Sequence, residues 1–222
     1  MSPDRPMSPT VPLRLTREQS RAHTRERLLT AARSVFASGG FHGASVEEIA
    51  SEAGFSTGAL YSNFEGKEDL FLALMEREIE EHAQEISRVV AAQVSIADRA
   101  TGGARQWMTM IEREPEALLL FMEFWAYGVR DAQMRPKVAA RFAQMRQVLT
   151  TLIAEGVRDF DLELAIPAEH LAIAIDALAD GIARQKLADP DAVPDDLMGR
   201  VIALLLAAVS APAPRTDMHS GP

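Results

Sequence analysis

The chain has 222 residues, of which 47% are apolar, and a formal net charge of -9 at pH 7. This length allows one large domain or a small domain followed by a larger one, with enough apolar side chains for a substantial core. The absence of cysteine excludes a disulfide framework and a thiol redox switch. Because no apolar run is long enough for a signal peptide or a membrane span, we expect a cytoplasmic protein.

The sequence predicts an arm followed by a helix in the N-terminal part of the chain. Residues 1–17 contain four prolines and few apolar side chains, which predicts a disordered basic arm. An apolar stripe then predicts a helix to Ser38, where Gly39 or Gly40 stops it and Phe41 packs back. The stripe consists of Leu28, Leu29, Ala32, Val35 and Phe36.

Two short helices joined by a glycine turn follow. Ser45 is placed to cap the first of them, and Glu48 completes a capping box three residues later. Gly54 supplies the left-handed residue that ends this helix, and Ser56 caps a second helix that runs to about residue 64. This is the pattern of a helix-turn-helix, whose second helix lies in the major groove of DNA. We assign residues 18–66 to a three-helix DNA-binding domain.

The same segment resembles the DNA-binding domain of the TetR family of one-component transcriptional regulators. Many positions at fixed spacing carry the resemblance, unlike a lone short motif. Asn63 stands where the family usually has His and Ala44 where Thr is common, and each departure concerns one possible phosphate contact. The matching residues are Ala31, Ala32, Phe36, Gly39, Gly40, Phe41, Ser45, Val46, Ile49, Ala50, Ala53, Gly54, Ser56, Thr57, Gly58, Leu60, Tyr61, Phe64, Lys67, Glu68, Asp69 and Leu70.

The resemblance implies which residues contact DNA. Tyr61 would place its hydroxyl on a phosphate, and Lys67 would neutralise another phosphate at a helix start. Gly58 either relieves crowding or lets the recognition helix approach the base edges closely. No Arg, Asn or Gln precedes Asn63 in that helix, so base discrimination would rest on short side chains and DNA shape. The predicted DNA-binding residues are Ser45, Ser56, Thr57, Gly58, Ala59, Tyr61, Ser62, Asn63 and Lys67.

Charge is distributed unevenly along the chain. Arginines are concentrated near the N-terminus, whereas acidic residues dominate the region after residue 70. An acidic body repels DNA, so we expect oriented and strongly salt-dependent binding. The arm of residues 1–17 either acts as a solubilising tail or carries arginines into a narrow minor groove.

The remainder of the chain has helical periodicity and no alternating strand pattern, which predicts an all-α protein. A long helix over residues 67–94 would connect the DNA-binding domain to a larger helical domain for ligand binding and dimerisation, residues 67–211. Residues 212–222 read as a disordered tail. The further helices are predicted near residues 98–112, 116–130, 134–158, 167–187 and 194–209.

Large, adaptable side chains cluster between residues 107 and 145. For each of them, plain core packing is the alternative to a ligand cavity, and the inducer pocket of the TetR family favours the cavity. Glu123 lies inside an apolar helix, so it either forms an ion pair with Arg113, Arg141 or Arg146 or contacts a ligand. The Pro115–Trp125 segment faintly resembles the choline-sensing branch of the family. The predicted ligand-binding residues are Trp107, Met110, Phe121, Met122, Glu123, Phe124, Trp125, Tyr127, Phe142 and Met145.

Two apolar stripes near the C-terminus favour a homodimer built as a four-helix bundle across a two-fold axis. A monomer that buries both stripes is the alternative. On the first of these helices Asp176, Asp180 and Arg184 are spaced four residues apart, which is typical of a solvated ion pair. The predicted interface residues are Leu171, Ile175, Leu178, Ile182, Val201, Leu204, Leu205 and Ala208.

The sequence therefore predicts a homodimeric regulator, a repressor that binds a near-palindromic operator and is released by a small, largely apolar effector. A constitutive DNA-binding protein without effector is one alternative, and a small-molecule enzyme is another. The enzyme is disfavoured because no catalytic grouping or phosphate-binding loop is visible. We expect no cofactor and no metal site, since the five histidines lack ligand spacing.

Overall fold

The computed structural model describes residues 16–212, which form a helical protein with one short pair of strands. The predicted arm and tail lie outside the described residues except for their inner ends. The predicted all-α class, with an N-terminal helix-turn-helix domain and a helical C-terminal domain, is confirmed. In chain order the elements are α1 (Arg17–Gly43), α2 (Val46–Glu52), α3 (Thr57–Tyr61), α4 (Lys67–Ala91), α5 (Ile96–Arg113), α6 (Pro115–Gly128), α7 (Arg135–Asp159), β1 (Leu162–Leu164), α8 (Ala168–Ala188), α9 (Leu197–Val209) and β2 (Ser210–Pro212).

Helices α1–α3 and their turns form a unit that we call the head. Helix α1 begins with a capping box, in which Thr16 Oγ1 accepts from the Gln19 amide at 3.2 Å and Gln19 Oε1 accepts from the Thr16 amide at 2.9 Å. Gly40 interrupts α1 with a φ of 70°, a conformation that costs glycine little. The predicted stop at this glycine is therefore present, although one further helical turn follows it.

The helix-turn-helix has the two serine caps that its sequence predicts, but at the start of α2 the Glu48 side chain does not complete the predicted capping box. The hydroxyl oxygens of Ser45 and Ser56 accept hydrogen bonds from backbone amides three residues on, at 3.1 Å and 3.2 Å, at the starts of α2 and α3. Gly54 adopts a φ of 75° in the turn between them. Helix α3 ends at Tyr61, about one turn earlier than predicted, and a turn leads directly into α4.

An aromatic cluster joins the head to the helices behind it. Phe36 and Phe41 of α1 stack with ring centroids 5.9 Å apart, and Phe71 of α4 stacks on Phe124 of α6 at 4.2 Å. Phe41 closes the cluster by meeting Phe124 edge-on at 5.1 Å. Because these rings are almost completely buried, the start of α4 and the middle of α6 are fixed to the head.

Helices α4–α9 form a unit that we call the body. Helix α5 packs against α4 and α9, and α7 packs against α8. Pro115 and Pro136 lie in the first turns of α6 and α7, where the missing amide breaks no helical hydrogen bond. Within residues 16–212, none of the helices has the length and hydropathy needed to cross a membrane.

The short antiparallel pair of β1 and β2 is a feature that the sequence analysis missed. Leu162 pairs with Pro212 and Leu164 with Ser210. Three-residue strands are too short to show an alternating pattern, and the pairing joins segments that are far apart in the chain. The ladder ties the end of α9 to the turn after α7.

Candidate functional site

Helix α3 presents an exposed surface on the head. Leu60 is fully buried and anchors the helix, whereas Tyr61 is 56% exposed. Gly58 and Ser62 are also exposed, and Thr57 and Ala59 are half-buried. A Cβ atom at Gly58 would meet nothing closer than Ser56 Oγ at 3.8 Å, so crowding inside the protein does not explain the glycine. The other alternative, close approach of the helix to a partner, is favoured.

Besides the caps Ser45 and Ser56, the predicted DNA-binding residues Asn63 and Lys67 make hydrogen bonds within the protein. Asn63 Nδ2 donates to the Ala59 carbonyl at 2.8 Å, at the end of α3. Lys67 Nζ donates to the Ala44 carbonyl at 3.0 Å and lies 4.8 Å from the centre of the Phe41 ring. Lys67 therefore links the start of α2 to α4, and its replacement would alter the head as well as any phosphate contact.

A groove with basic side chains runs beside the end of α3. Arg25 Nη1 donates to the Asn63 carbonyl at 3.3 Å, and its guanidinium lies 4.3 Å from the centre of the Phe64 ring. Arg21 lines the same groove. The sequence analysis noted the local excess of arginine but did not place Arg21 or Arg25 beside α3, because that position depends on how α1 packs.

The body contains two adjacent, partly open cavities that share Trp107, Met145 and Asp176 as a common wall. The apolar cavity has a volume of about 130 Å³. The polar cavity, which is nearer to the head, has a volume of about 110 Å³. Leu149, Ile153 and Ile202 are among the apolar cavity's lining residues, and the polar cavity's ionisable lining residues are Glu78, His82, Arg141, Asp176 and Asp180.

Burial shifts the pKa values of three groups in the polar cavity. Burial raises the pKa of Asp176 to about 6, and the neighbouring carboxylate of Asp180 adds to the effect while Arg146 opposes it. The pKa of Asp180 is also raised by burial, against the effect of Arg184. Burial lowers the pKa of His82, which favours the neutral imidazole at pH 7. The prediction of a solvated pair on α8 is therefore wrong, since both aspartates line the cavity.

Four of the predicted ligand-binding residues line these cavities. Trp107 and Met145 lie between the two, and Phe121 and Phe142 form part of the polar cavity. The rings of Phe121 and Phe142 meet edge-on with centroids 5.8 Å apart. The aromatic and methionine wall expected from the sequence is present at these positions.

The other predicted ligand-binding residues lie elsewhere, because α6 is apolar nearly all round and its faces pack against different neighbours. Phe124 belongs to the aromatic cluster, and Tyr127 packs on Phe41 and His42 of the head. Trp125 is 43% exposed. The residues that do not line either cavity are Met110, Met122, Glu123, Phe124, Trp125 and Tyr127.

Glu123 has a role that neither alternative foresaw. Its Oε2 accepts from the Phe41 amide at 3.1 Å and its Oε1 accepts from the His42 amide at 2.9 Å. These amides are freed from the α1 ladder by the break at Gly40, where a Cβ atom would lie 2.8 Å from Glu123 Oε2. The carboxylate therefore clasps the head to α6 instead of pairing with an arginine.

The predicted dimer residues divide into core and surface. Leu171 is fully buried and Ile175 is 8% exposed, so neither side chain is free to contact a second chain. Leu178, Ile182, Val201 and Leu205 are half-buried, while Leu204 is 70% exposed and Ala208 is exposed. The helical stripe identified in α8 faces the protomer's own core, and the adjacent face carries the exposed Ile173.

The ionisable residues of the polar cavity are the main site residues that the sequence analysis missed. Glu78 could have been noticed because it lies three residues after Met75 and four before His82, within the apolar stripe of α4. Asp176 and Asp180 share one face of α8, but only the packing of α8 against α7 shows that this face is internal. No group of three or more potential metal ligands is arranged around a common point within residues 16–212.

A helix-turn-helix head joined to a helical body with cavities is the architecture of a DNA-binding transcriptional regulator. Residues 28–74 match the family described as bacterial regulatory proteins, tetR family, and residues 96–211 match the C-terminal region of BetI-type transcriptional repressors. The chain belongs to the TetR family, whose members are transcriptional regulators and not enzymes.

The chain is also similar to individual transcriptional regulators. The transcriptional activator FasR of Mycolicibacterium smegmatis is 28% identical over 172 residues, covering 77% of this chain and 74% of its own. The structure of FadR from Bacillus subtilis with stearoyl-CoA covers 82% of this chain and 96% of its own, at 16% identity and a TM-score of 0.65. A regulator from Saccharomonospora viridis with choline covers 84% of this chain and 96% of its own, at 19% identity and a TM-score of 0.64.

Proposed function

We propose that the protein is a homodimeric, effector-released repressor that acts in the cytoplasm. Each protomer would place α3 in one half-site of a near-palindromic operator, with half-sites about 34–36 Å apart. The observation that carries the proposal is that α4 joins the domain with the exposed helix α3 to a cavity in the body. The match to BetI-type repressors over residues 96–211 supports repression.

The cavities favour an effector over the alternative of constitutive DNA binding. A body that served only for dimerisation would be expected to pack at the density of an ordinary protein interior. The mostly apolar lining suits a small, largely apolar effector, and structures with this fold hold choline or stearoyl-CoA. An effector that binds preferentially to the DNA-incompetent shape would shift the population of dimers away from DNA.

The direct test is titration of the promoter DNA next to the protein's own gene, at several salt concentrations, with and without a compound library. We expect tight binding that weakens steeply as salt rises and that a compound reverses. Tyr61→Phe should weaken operator binding about 3- to 10-fold by removing one phosphate contact. Failure of the wild-type protein to bind at low salt would refute the proposal.

The proposed dimer interface is the exposed apolar face of α8 and α9, and it is tested separately by substitution. Leu204 is 70% exposed and Ile173 is 50% exposed, and a Cβ atom at Gly181 would meet no atom within 4 Å. Leu204→Arg should convert the dimer to a monomer in sedimentation experiments and reduce operator affinity at least 100-fold. Leu119→Arg places the same charge at a leucine that is 56% exposed on α6 and should remain dimeric. A dimeric Leu204→Arg protein would contradict this interface.

A further inference from the structure

The carboxylate of Glu78 is buried without a hydrogen bond. This residue of α4 is 6% exposed, and neither of its oxygens accepts a hydrogen bond within the described part of the chain. Oε1 lies 3.3 Å from Nε of Arg33, and Oε2 lies 3.8 Å from Nε2 of His82. Because a buried carboxylate without hydrogen bonds is unfavourable, Glu78 retains capacity for a further positive partner.

Glu78 lines the polar cavity, where acidic groups outweigh basic ones. Asp176 and Asp180 line it from α8. Arg141 lines the cavity from α7, but its Nη1 lies 3.3 Å from Glu76 Oε1 and 3.0 Å from Gln144 Oε1. The cavity therefore combines a negative potential with aromatic rings from Trp107, Phe121 and Phe142, a combination that attracts cations.

The adjoining apolar cavity extends this site. It shares Trp107, Met145 and Asp176 with the polar cavity, and most of its other lining residues are aliphatic. A ligand with a cationic group and a short hydrocarbon chain would fill both spaces, with the charge among the carboxylates and the chain among the aliphatic side chains.

The same carboxylate also contacts the head. Arg33 belongs to α1, and besides Glu78 it pairs with Glu114 at the junction of α5 and α6. The Arg33 side chain is 41% exposed, so it can leave Glu78 and be solvated. Glu78 is therefore at once a wall of the cavity and an attachment point for the first helix of the head.

We propose that the effector is an amphipathic organic cation whose charged group competes with Arg33 for the carboxylate of Glu78. Binding of the cation frees Arg33, loosens α1 from α4 and favours a head position that does not fit the operator. This inference rests on the proposed function, because it specifies the ligand class and the switch of an effector-released repressor. A coupling of roughly 5- to 150-fold between effector and DNA is ordinary for such a switch.

The ligand class is tested with three probes that have the same eight-carbon chain. Octyltrimethylammonium, octanoate and octanol are titrated into the DNA-free protein by calorimetry. We expect the ammonium compound to bind at least 10-fold more tightly than the other two. Equal affinities, or tighter binding of octanoate, would overturn the assignment of a cation.

The competition is tested with charge-removing variants. Glu78→Gln should weaken octyltrimethylammonium binding at least 10-fold, whereas Arg33→Gln should strengthen it about 3- to 10-fold by removing the competitor. The double variant should bind octyltrimethylammonium with the same affinity as Glu78→Gln alone, because Arg33 then has no carboxylate to compete for. Arg77→Gln is the matched control, because Arg77 also joins α4 to α1, through Glu26 at 3.4 Å, without lining either cavity. If Arg77→Gln gained as much affinity for octyltrimethylammonium as Arg33→Gln, or if Arg33→Gln gained none, Arg33 would not compete with the cation for Glu78.

Operator binding separates failure of this switch from failure of the proposed function. In the wild-type protein the ammonium probe should lower operator affinity, and in Arg33→Gln it should bind more tightly yet lower operator affinity less. A wild-type protein that binds the probe but no operator would refute the repressor. A protein that binds both, with the same release in Arg33→Gln as in the wild type, would refute the role of Arg33 and leave the repressor standing.

Discussion

The head and the body differ in how completely their polar groups are satisfied. Of the buried side-chain polar atoms that lack a partner within residues 16–212, only Asn63 Oδ1 belongs to the head. The others belong to body residues, and most of them line the cavities: Glu78, Arg99, Trp107 and Arg141. The polar groups of the head are thus nearly all satisfied within the protein, whereas unsatisfied groups beside a cavity can be satisfied by a ligand.

The helix starts show the same difference. In the head, Thr16, Ser45 and Ser56 cap α1, α2 and α3 with side-chain hydrogen bonds. In the body only α5 has such a cap, from Ser95, while α4 and α6–α9 start without one. In a helix without a side-chain cap, no side-chain hydrogen bond has to break when the first turn moves. The helix starts of the head are therefore fixed by more side-chain hydrogen bonds than those of the body.

The largest test of this comparison replaces one phenylalanine in each unit. Phe41 is 1% exposed within the aromatic cluster, so Phe41→Ala should lower the free energy of unfolding by about 3–5 kcal/mol. Phe142 borders the polar cavity and is only half-buried, so Phe142→Ala should lower it by about 1–2 kcal/mol. Urea denaturation of each variant and of the wild-type protein, without ligand, measures both differences in the free energy of unfolding. Equal losses would contradict the idea that the body is packed less tightly around its cavities.

The two units also differ in how far they could be predicted from the sequence. The helix-turn-helix signals are local: Ser45, Gly54 and Ser56 fix caps and turn within a dozen residues, and the structure confirms them. The cavity depends on which faces of α4, α5, α7 and α8 meet. Trp107 and Phe142 were found by residue type alone, but Glu78 was missed because an isolated carboxylate in a helix is usually exposed.

Contacts between distant segments account for the remaining differences. Glu123 was expected to pair with an arginine, yet it accepts from two amides that become available only because Gly40 breaks α1. Likewise, Leu171 carries the period of an interface stripe, but the fold buries it within one protomer. Helical periodicity identifies an apolar face and does not distinguish a protomer's core from its interface with a second copy.

A second test concerns the clasp between the head and α6. Glu123→Ala removes the acceptor of two amides, so it should lower the free energy of unfolding by about 1–3 kcal/mol. Glu116→Ala changes an exposed carboxylate on the same helix and should alter it by no more than about 0.5 kcal/mol. Denaturation of both variants under identical conditions gives the comparison. A Glu123→Ala protein as stable as Glu116→Ala would show that the clasp does not hold the head.

The test with the smallest expected effect concerns Asp176, where substitution should raise the free energy of unfolding instead of lowering it. Because its pKa is raised to about 6 in the folded protein, folded chains hold a proton that unfolded chains release between about pH 4 and pH 6. The free energy of unfolding therefore falls as pH rises through that window. Asp176→Asn removes this dependence and should be more stable than the wild type by about 1–2 kcal/mol at pH 7.5, after allowance for partial exposure. The two proteins should be similar at pH 4.

The control for this test is an aspartate whose pKa moves the other way. A hydrogen bond from Arg99 lowers the pKa of Asp159, so Asp159→Asn should reduce stability at neutral pH. If Asp176→Asn also lost stability at pH 7.5, the carboxylate would be favourable in the empty protein, contrary to its position in a negative cavity. If Asp176→Asn gained stability but bound octyltrimethylammonium more weakly, the Asp176 carboxylate would lower the stability of the ligand-free protein while strengthening ligand binding.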